Sequence, residues 1–444
     1  MAITVPHEII EYILDNLHSE KVILSNCALV QRSWAISAQR GLFQHITLKF
    51  PNTYHEDFDE LATAYNERNE QLIQTFDRKP FLMACVRTLE LKQFGQIVPG
   101  NFVHRKEMLF TSTTQLIKRL HNLKSLLFFQ GRWDLLSLEL KEALMHLFNQ
   151  PSLTRVTLSF FSILSLQDLA SLLSQATNLQ VLKLHFPHCY DWGCPTTPPI
   201  DHPSRSIRLD QSLCVRSRNI RAFVTWFQHD SCPFEIRELR SLELDVIKPP
   251  NDAEFASMLR YTGGHLQDLI LHGPFDDQPS GLLHIGLFHD LRNLVMLNAL
   301  QRAALTPVPW ILSFFRPSQE TERETSSLRQ LTISLFIDDV DIHGTHQWDA
   351  WTAVDVLFTE HQFMSLETVK IELLGQLLLV LREIKDILIG KMPILNGTGK
   401  LEVEIPAEAV RSTRSSPISL EHSFAKYTDT LSKGQILALG AIIF

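Results

Sequence analysis

The chain of 444 residues is 45% hydrophobic and 20% charged, which is typical of a folded protein with two or three domains. Its net charge of −8 argues against a general nucleic-acid binder, because such proteins need a basic excess to displace counterions. The longest uncharged apolar run, 435–444, is too short to span a bilayer, which needs about 20 residues. No basic segment followed by an apolar core opens the chain, so we expect reduced cysteines and a location in the cytoplasm, the nucleus or both.

Near the N-terminus, apolar residues recur at helical spacing. They form three runs: Ile9, Ile10, Ile13, Leu14 and Leu17; then Val22, Ile23, Cys27 and Val30; then a run that begins near Ser33 around Trp34. Pro6 suits the first turn of the first predicted helix, where a proline costs no hydrogen bond. A unit of about 40 residues is too small to bury so many apolar side chains. We therefore expect part of this surface to contact a partner protein.

The same segment reads Pro-x-Glu-Ile-Ile-x-x-Ile-Leu, then Leu-Val-x-Arg-x-Trp, then Leu-Phe, and it resembles an F-box. The resemblance implies docking on a Skp-type adaptor and, through it, on a cullin–RING ubiquitin ligase. The chain departs from the pattern at Val5, where Leu is usual, and at Gln31, where Cys is frequent. Adaptor binding carries over to Pro6, Ile9, Ile10, Ile13, Leu14, Leu17, Leu29, Val30, Arg32, Trp34, Leu42 and Phe43. The alternative is an ordinary helical bundle that caps the next domain.

A second pattern, Leu-x-x-Leu-x-Leu, repeats through the middle of the chain. Its central positions are 89, 126, 156, 182, 242, 269, 294, 331 and 369. Each copy predicts a short strand with alternate apolar side chains turned inward. Helix-like stretches lie between them at 138–148, 166–175, 218–228, 252–260 and 349–358. Since each unit has one apolar face to bury, neighbouring units must stack.

These units resemble leucine-rich repeats, and an F-box followed by such repeats is an arrangement common among fungal F-box proteins. The spacings exceed the usual 20–29 residues, and the Asn expected after each strand is absent. The predicted fold is therefore α/β, with a three-helix F-box followed by an irregular leucine-rich-repeat solenoid of parallel strands and helices. An α/β domain with a parallel sheet and helices on one side predicts nearly the same local pattern.

Composition shifts suggest four segments. The predicted order is an F-box at 1–48, a helical connector at 49–84, the repeat array at 85–410, and a linker with a C-terminal tail at 411–444. A proline-rich stretch at 187–205 interrupts the array and predicts a long loop insertion, since proline fits neither a central strand nor a helix interior.

Residues that would carry catalysis are not found in a recognisable pattern, so the predicted protein is not an enzyme and needs no cofactor. One cluster has zinc-compatible side chains within ten positions. It consists of His185, His188, Cys189 and Cys194. Its spacing matches no known zinc finger and prolines surround it, so the sequence predicts no metal site here.

Basic residues occupy the first variable position of five repeat units. They are Arg87, Lys124, Arg240, Arg292 and Arg329. On stacked strands about 5 Å apart they would form an interrupted positive column. One hypothesis is that this column binds an acidic or phosphorylated target through guanidinium forks. The other is a solvated face whose charges pair with Glu90, Glu243 and Glu367.

Together these patterns predict a non-catalytic substrate-recognition subunit of an SCF-type ubiquitin ligase. Its expected partners are the adaptor, a cullin reached through the adaptor, and a target protein, with no nucleic acid and no membrane. The alternative function is a leucine-rich-repeat interaction scaffold whose F-box has drifted to an adaptor-independent role.

Overall fold

A computed structural model describes residues 6–17, 20–30, 32–53, 55, 57–96, 103–195, 207–245, 252–273, 275, 284–302, 305–316, 326–337, 346–375 and 377–407. The chain divides into two compact units. The described part of the first lies within Met1–Leu179 and Pro187–Asp191, and that of the second within Gln180–Phe186 and Trp192–Ser416. The predicted linker and tail at 411–444 lie outside the described residues.

Helices and strands alternate along most of the chain. The helices are α1 (His7–Asn16), α2 (Lys21–Val30), α3 (Arg32–Phe43), α4 (Phe58–Arg78), α5 (Pro80–Cys85), α6 (Val103–Ile117), α7 (Leu138–Phe148), α8 (Leu166–Ser174), α9 (Ile220–Gln228), α10 (Asp252–Thr262), α11 (Val308–Phe315), α12 (His346–Asp349), α13 (Trp351–Leu357), α14 (Leu378–Lys391) and α15 (Pro393–Gly397). The strands are β1 (His45–Lys49), β2 (Thr88–Lys92), β3 (Ser125–Phe129), β4 (Arg155–Ser159), β5 (Ser162–Ser165), β6 (Val181–His185), β7 (His188–Asp191), β8 (Ile207–Arg208), β9 (Ser212–Arg216), β10 (Phe234–Glu235), β11 (Ser241–Asp245), β12 (Asp268–His272), β13 (Asn293–Gln301), β14 (Gln330–Ile337), β15 (Thr368–Gly375) and β16 (Leu401–Glu404).

In the first unit, β1, β2, β3 and β4 pair as parallel neighbours in chain order. The repeat leucines face inward as the pattern predicts, and Leu89 on β2 lies level with Leu126 on β3, which lies level with Val156 on β4. All three side chains are fully buried. β5 and β7 form a second, two-stranded parallel ladder.

The second unit contains eight parallel strands, which pair in the order β6, β9, β11, β12, β13, β14, β15 and β16. The inward row has the same level on each strand: Leu182, Leu213, Leu242, Leu269, Leu294, Leu331, Val369 and Leu401. β8 and β10 form a separate short ladder. The architecture is therefore mixed α/β with long parallel pairing, as the sequence predicts at this level.

Strand exits share an unusual backbone turn. The first residue after β2, β3, β4 and β6 has a positive φ although none of the four is glycine: Gln93 at 65°, Gln130 at 55°, Phe160 at 51° and Phe186 at 51°. Three of these residues donate their backbone N–H to the carbonyl of the last residue of a neighbouring strand: Gln93 to Phe129, Gln130 to Ser159 at 2.8 Å, and Phe186 to Arg216 on β9. Asn tolerates this left-handed conformation best among non-glycine residues, and the chain forms the turn without it.

A row of phenylalanine rings follows these turns inside the first unit. Phe50, Phe94, Phe128 and Phe161 are all buried, with successive ring centroids 5.3, 6.0 and 5.2 Å apart. Tilted and edge-to-face contacts at these separations stabilise aromatic pairs beyond their area burial. Because each ring contacts the next, this phenylalanine row links the turn at one strand exit to the turn at the next.

Three features differ from the sequence prediction. β9 is a repeat strand that the pattern missed. It lies between the repeat positions 182 and 242, so the loop predicted at 187–205 is not alone in separating them. Within that predicted loop, His188–Asp191 forms β7 instead. β1 was also missed, and it crosses the predicted boundary at residue 48. In the unit of β9, Asp210 stands where the pattern has its first leucine, so the Leu-x-x-Leu-x-Leu motif does not match it.

Candidate functional site

The three N-terminal helices enclose a small core of their own. Leu14, Leu24 and Ala38 are its buried centre, one from each helix. Partly buried side chains surround that centre: Ile10, Leu17, Cys27, Ala28, Trp34 and Leu42. Ser37 donates a hydrogen bond to the Glu11 carboxylate at 3.2 Å, which ties α3 to α1.

Outside this core, the helices leave large apolar side chains in water. Ile9 and Ile13 on α1 are 50% and 51% exposed, and Leu29 and Val30 at the end of α2 are 62% and 67% exposed. The other exposed apolar side chains of this module are Tyr12, Val22, Ile23 and Ile36. Exposed apolar surface concentrated on one small module is typical of an interaction site.

The structure sorts the residues that the F-box resemblance selects into three groups. Pro6, Ile9, Ile13, Leu29 and Val30 are exposed. Ile10, Leu17, Trp34 and Leu42 are partly buried against the helical core. Leu14 and Phe43 are buried within the chain, and the Phe43 ring lies 6.0 Å from that of Phe76, so neither offers surface to a partner. The Arg32 side chain lies outside the described residues, although its backbone begins α3.

The five basic residues lie immediately before strands β2, β3, β11, β13 and β14 rather than on them. Their carbonyls pair with the next unit; for example, the carbonyl of Arg292 accepts from the backbone N–H groups of Arg329 and Gln330 at 2.8 and 2.9 Å. Arg240, Gln267, Arg292, Arg329 and Glu367 thus form one row in the second unit. We call this the strand-start row.

The solvated-face hypothesis predicts that the basic residues pair with Glu90, Glu243 and Glu367. Of these three acids, Glu367 does so. The Arg329 guanidinium lies 3.8 Å from the Glu367 carboxylate, and both side chains are more than half exposed. Glu90 and Glu243 instead pair with other residues, with His45 and His272 respectively. In the first unit, Arg87 is half-buried and donates to the carbonyl of Asn122 at 3.2 Å, whereas Lys124 is exposed.

A different group of polar side chains meets on the outward face of the second unit's sheet. His185 on β6, Cys214 on β9 and Glu243 on β11 place one nitrogen, sulfur or oxygen each within 4.8 Å of one another. Cys214 lies directly level with Glu243 across the parallel pair, and His185 is level with Arg216, two residues further along β9. We call His185, Cys214 and Glu243 the strand-face triad.

Residues of the next strands hold the triad in place. His272 on β12 lies with Nε2 2.8 Å from Glu243 Oε1, and its side chain is nearly buried. Arg216 Nε donates to Asp245 Oδ1 at 3.4 Å, and the Arg216 guanidinium also lies 4.9 Å from the centre of the Phe186 ring. Arg216, Asp245 and His272 therefore each have a defined contact on this face.

Electrostatics differ among the three triad groups. Burial lowers the pKa of His185 to about 4, so its imidazole is neutral at pH 7. Burial opposes ionisation of Glu243, but hydrogen bonding to His272, together with its charge, outweighs burial and holds the pKa of this carboxyl at about 2. Burial and the Glu243 charge both raise the pKa of the Cys214 thiol.

The cysteine and histidine cluster of the sequence analysis is not assembled in the structure. Of His185, His188, Cys189 and Cys194, only His185 belongs to a group of three potential ligands within the described part of the chain. Cys189 is buried in β7, where burial raises the pKa of its thiol to about 12. Sequence spacing missed the triad because its members come from three different repeat units, and only the pairing of their strands brings them together.

Comparison with models of known protein families gives no match, and comparison with curated protein sequences gives none either. Within the described residues, no helix combines the length and the apolar character that crossing a bilayer requires.

Proposed function

We propose that this protein is a non-catalytic substrate receptor of an SCF-type ubiquitin ligase, with α1 to α3 acting as an F-box and the strand units acting as a leucine-rich-repeat array. The observation that carries the proposal is the exposed apolar surface of α1 and α2 around an intact helical core. Burial of such a side chain contributes about 1.5–3 kcal/mol, so Ile9, Ile13, Leu29 and Val30 form an anchor for an adaptor.

The sheet supports the second half of the proposal. Its paired strands follow chain order with parallel pairing, as stacked repeat units do, and similar non-glycine turns recur after β2, β3, β4 and β6. The outward side chains of such strands are held on a rigid scaffold and suit the recognition of a target protein. The strand-start row, with Arg240, Arg292 and Arg329 exposed, is the proposed contact for acidic or phosphorylated residues of that target.

In this proposal the protein supplies proximity. Binding of the adaptor by one module and of a target by the other raises the effective concentration of target lysines near the ubiquitin-charged enzyme. No side chain of the receptor needs to take part in bond chemistry.

Adaptor binding is tested with the purified full chain and a purified Skp-type adaptor. The double variant Ile13→Asp/Val30→Asp removes two exposed anchors and leaves Leu14, Leu24 and Ala38 in the helical core. Loss of an interface hot spot costs about 2 kcal/mol, so we expect Kd to rise by at least ~30-fold.

The matched control is Met364→Asp, because Met364 is also apolar and 68% exposed but lies in the second unit. It should leave Kd unchanged. Absence of adaptor binding by the unaltered chain would reject the ligase role and favour an adaptor-independent interaction scaffold. Equal loss in both variants would show that the contact is not at α1 and α2.

A further inference from the structure

Three chemically different ligand groups converge on neighbouring strands of the second unit. The imidazole of His185, the thiol of Cys214 and the carboxylate of Glu243 lie within 4.8 Å of one another, and Cys214 is fully buried beneath its longer neighbours. We propose that the strand-face triad is a Zn²⁺ site. This proposal is independent of the ligase role, since it concerns the sheet alone.

The ligand chemistry fits zinc better than other common cations. Zinc binds thiolate, imidazole and carboxylate at about 2.3, 2.0 and 2.1 Å, whereas calcium and magnesium require oxygen ligands throughout. Tetrahedral bonds of these lengths separate the ligand atoms by roughly 3.5 Å. The triad atoms lie within 4.8 Å of one another, so closing around an ion would bring them nearer by about 1 Å.

His272 supplies the supporting contact that zinc sites usually have. Its Nε2 lies 2.8 Å from Glu243 Oε1, which orients the carboxylate. Hydrogen bonds of this kind orient metal ligands, and their removal weakens affinity by about 10- to 100-fold. His272 is nearly buried, so the contact is held within the sheet.

Charge on this face also suits a divalent cation. Glu243 contributes one negative charge and Cys214 a second on deprotonation, so the two neutralise Zn²⁺. Among the nearby cations, Arg216 is paired with Asp245, and Lys183 lies level with Cys214 on the adjacent strand, where a positive charge favours the thiolate. Three protein ligands leave a fourth position for water or for a side chain of a bound protein.

Without an ion, the same side chains can be held by hydrogen bonds from the Cys214 thiol and from His272 to Glu243. The two cases differ in what zinc does to the thiol. Zinc must displace its proton, so binding releases a proton and creates a metal–thiolate bond. If hydrogen bonds alone hold the triad, adding zinc releases no proton and forms no metal–thiolate bond.

The test uses tag-free full-length protein dialysed against a chelator and then titrated with ZnCl₂ in competition with a chromogenic chelator. We expect one zinc per chain. Cys214→Ala should weaken binding by more than about 100-fold, since it removes a direct ligand, and His272→Phe should weaken it by about 10- to 100-fold. Cys232→Ala is the matched control, because Cys232 is fully buried in the same unit and lies outside the triad.

Co²⁺ in place of zinc gives a second readout. A thiolate-to-cobalt charge-transfer band should appear with the unaltered chain and with Cys232→Ala and be missing from Cys214→Ala. If Cys214→Ala does not fold, as judged by circular dichroism, the pair His185→Gln and Glu243→Gln replaces it in both measurements. Zinc binding that persists in these variants, or an unaltered chain that binds no stoichiometric zinc, would overturn the proposal.

Discussion

The carboxylate of Glu90 on β2 lies 3.3 Å from His45 Nε2 on β1, the strand that follows the N-terminal helices directly. The same carboxylate accepts from the Thr47 hydroxyl at 2.9 Å and lies 3.1 Å from Lys92 Nζ. Burial raises the pKa of Glu90, but these partners outweigh it and set the pKa at about 2, below the ordinary value of 4.5. Glu90 thus anchors the first strand to the second.

This pKa predicts an acid-sensitive contribution to stability. The unfolded chain takes up a proton at Glu90 near pH 4.5 and the folded chain only near pH 2, so the contribution is complete above pH 4.5 and is lost as the pH falls through 2. Glu90→Gln should lower Tm at pH 6, and the difference in Tm from the unaltered chain should shrink toward pH 2. A difference that stays constant from pH 6 to pH 2.5 would contradict this assignment.

A buried acid in the second unit caps the helix α15. Asp355 is almost fully buried, and its two oxygens accept from the backbone N–H groups of Ile394 and Leu395 at 2.9 and 2.8 Å. Hydrogen bonds to a charged group contribute about 1.5–3 kcal/mol, so Asp355→Ala should destabilise the unit by about 3 kcal/mol. Denaturant unfolding measures the change. Asp386→Asn, at an exposed position on α14, should change stability by less than about 0.5 kcal/mol.

Gly131 lies against the phenylalanine row. A Cβ at this position would overlap the ring of Phe128, whereas one at Gly264 would meet nothing within 4 Å. Gly131→Ala should therefore destabilise the chain by about 1–3 kcal/mol, and Gly264→Ala should be close to neutral. Combined with Phe128→Leu, which removes the ring atoms, Gly131→Ala should cost less than it does alone. Additive effects in this double-mutant cycle would show that the ring is not what opposes the methyl group.

Gln130 tests the strand-exit turn. Its φ of 55° is easily adopted by glycine but strained for a β-branched residue. Gln130→Gly should be neutral or stabilising by up to about 1 kcal/mol, and Gln130→Val should destabilise by about 1–3 kcal/mol. Both are measured by the shift in Tm, and equal effects of the two substitutions would contradict a left-handed turn.

The strand-start row gives a prediction for target binding. Arg240→Glu, Arg292→Glu and Arg329→Glu together reverse three exposed charges and should reduce the set of proteins co-purified with the chain. Arg382→Glu, exposed on α14 away from the row, is the control. Quantitative mass spectrometry compares the captured proteins, and an identical set in both variants would remove the row from the proposed target surface.

Much of the fold is predictable from the sequence because the repeat pattern is local. The Leu-x-x-Leu-x-Leu signal finds most strands, and 138–148 coincides with α7, because alternation and helical periodicity are properties of adjacent residues. β9 escapes this reasoning because Asp210 stands where the pattern has its first leucine. The place of this strand in the sheet follows from its pairing with β6 and β11, which lie in other units.

For the candidate sites too, features set by adjacent residues are predictable from the sequence, and features set by packing are not. The sequence predicts that part of the apolar surface of the N-terminal segment contacts a partner, and Ile9 and Ile13 are among its exposed residues. The sequence alone does not say which of Leu14 and Ile13 is buried, because both lie on the wide apolar face of one helix. Packing against α2 and α3 buries Leu14. The strand-face triad depends on register between units far apart in the chain, and no local pattern encodes it.

The strand-exit turns and the chain-order pairing have a consequence for how such a protein changes over evolutionary time. A unit duplicated between two existing strands would offer the same backbone donors and acceptors at both of its edges, and its leucines would meet leucines. Gain or loss of a unit therefore needs no new kind of contact. Lineages can vary the number of strands, and with it the surface presented, while the N-terminal helices remain unchanged.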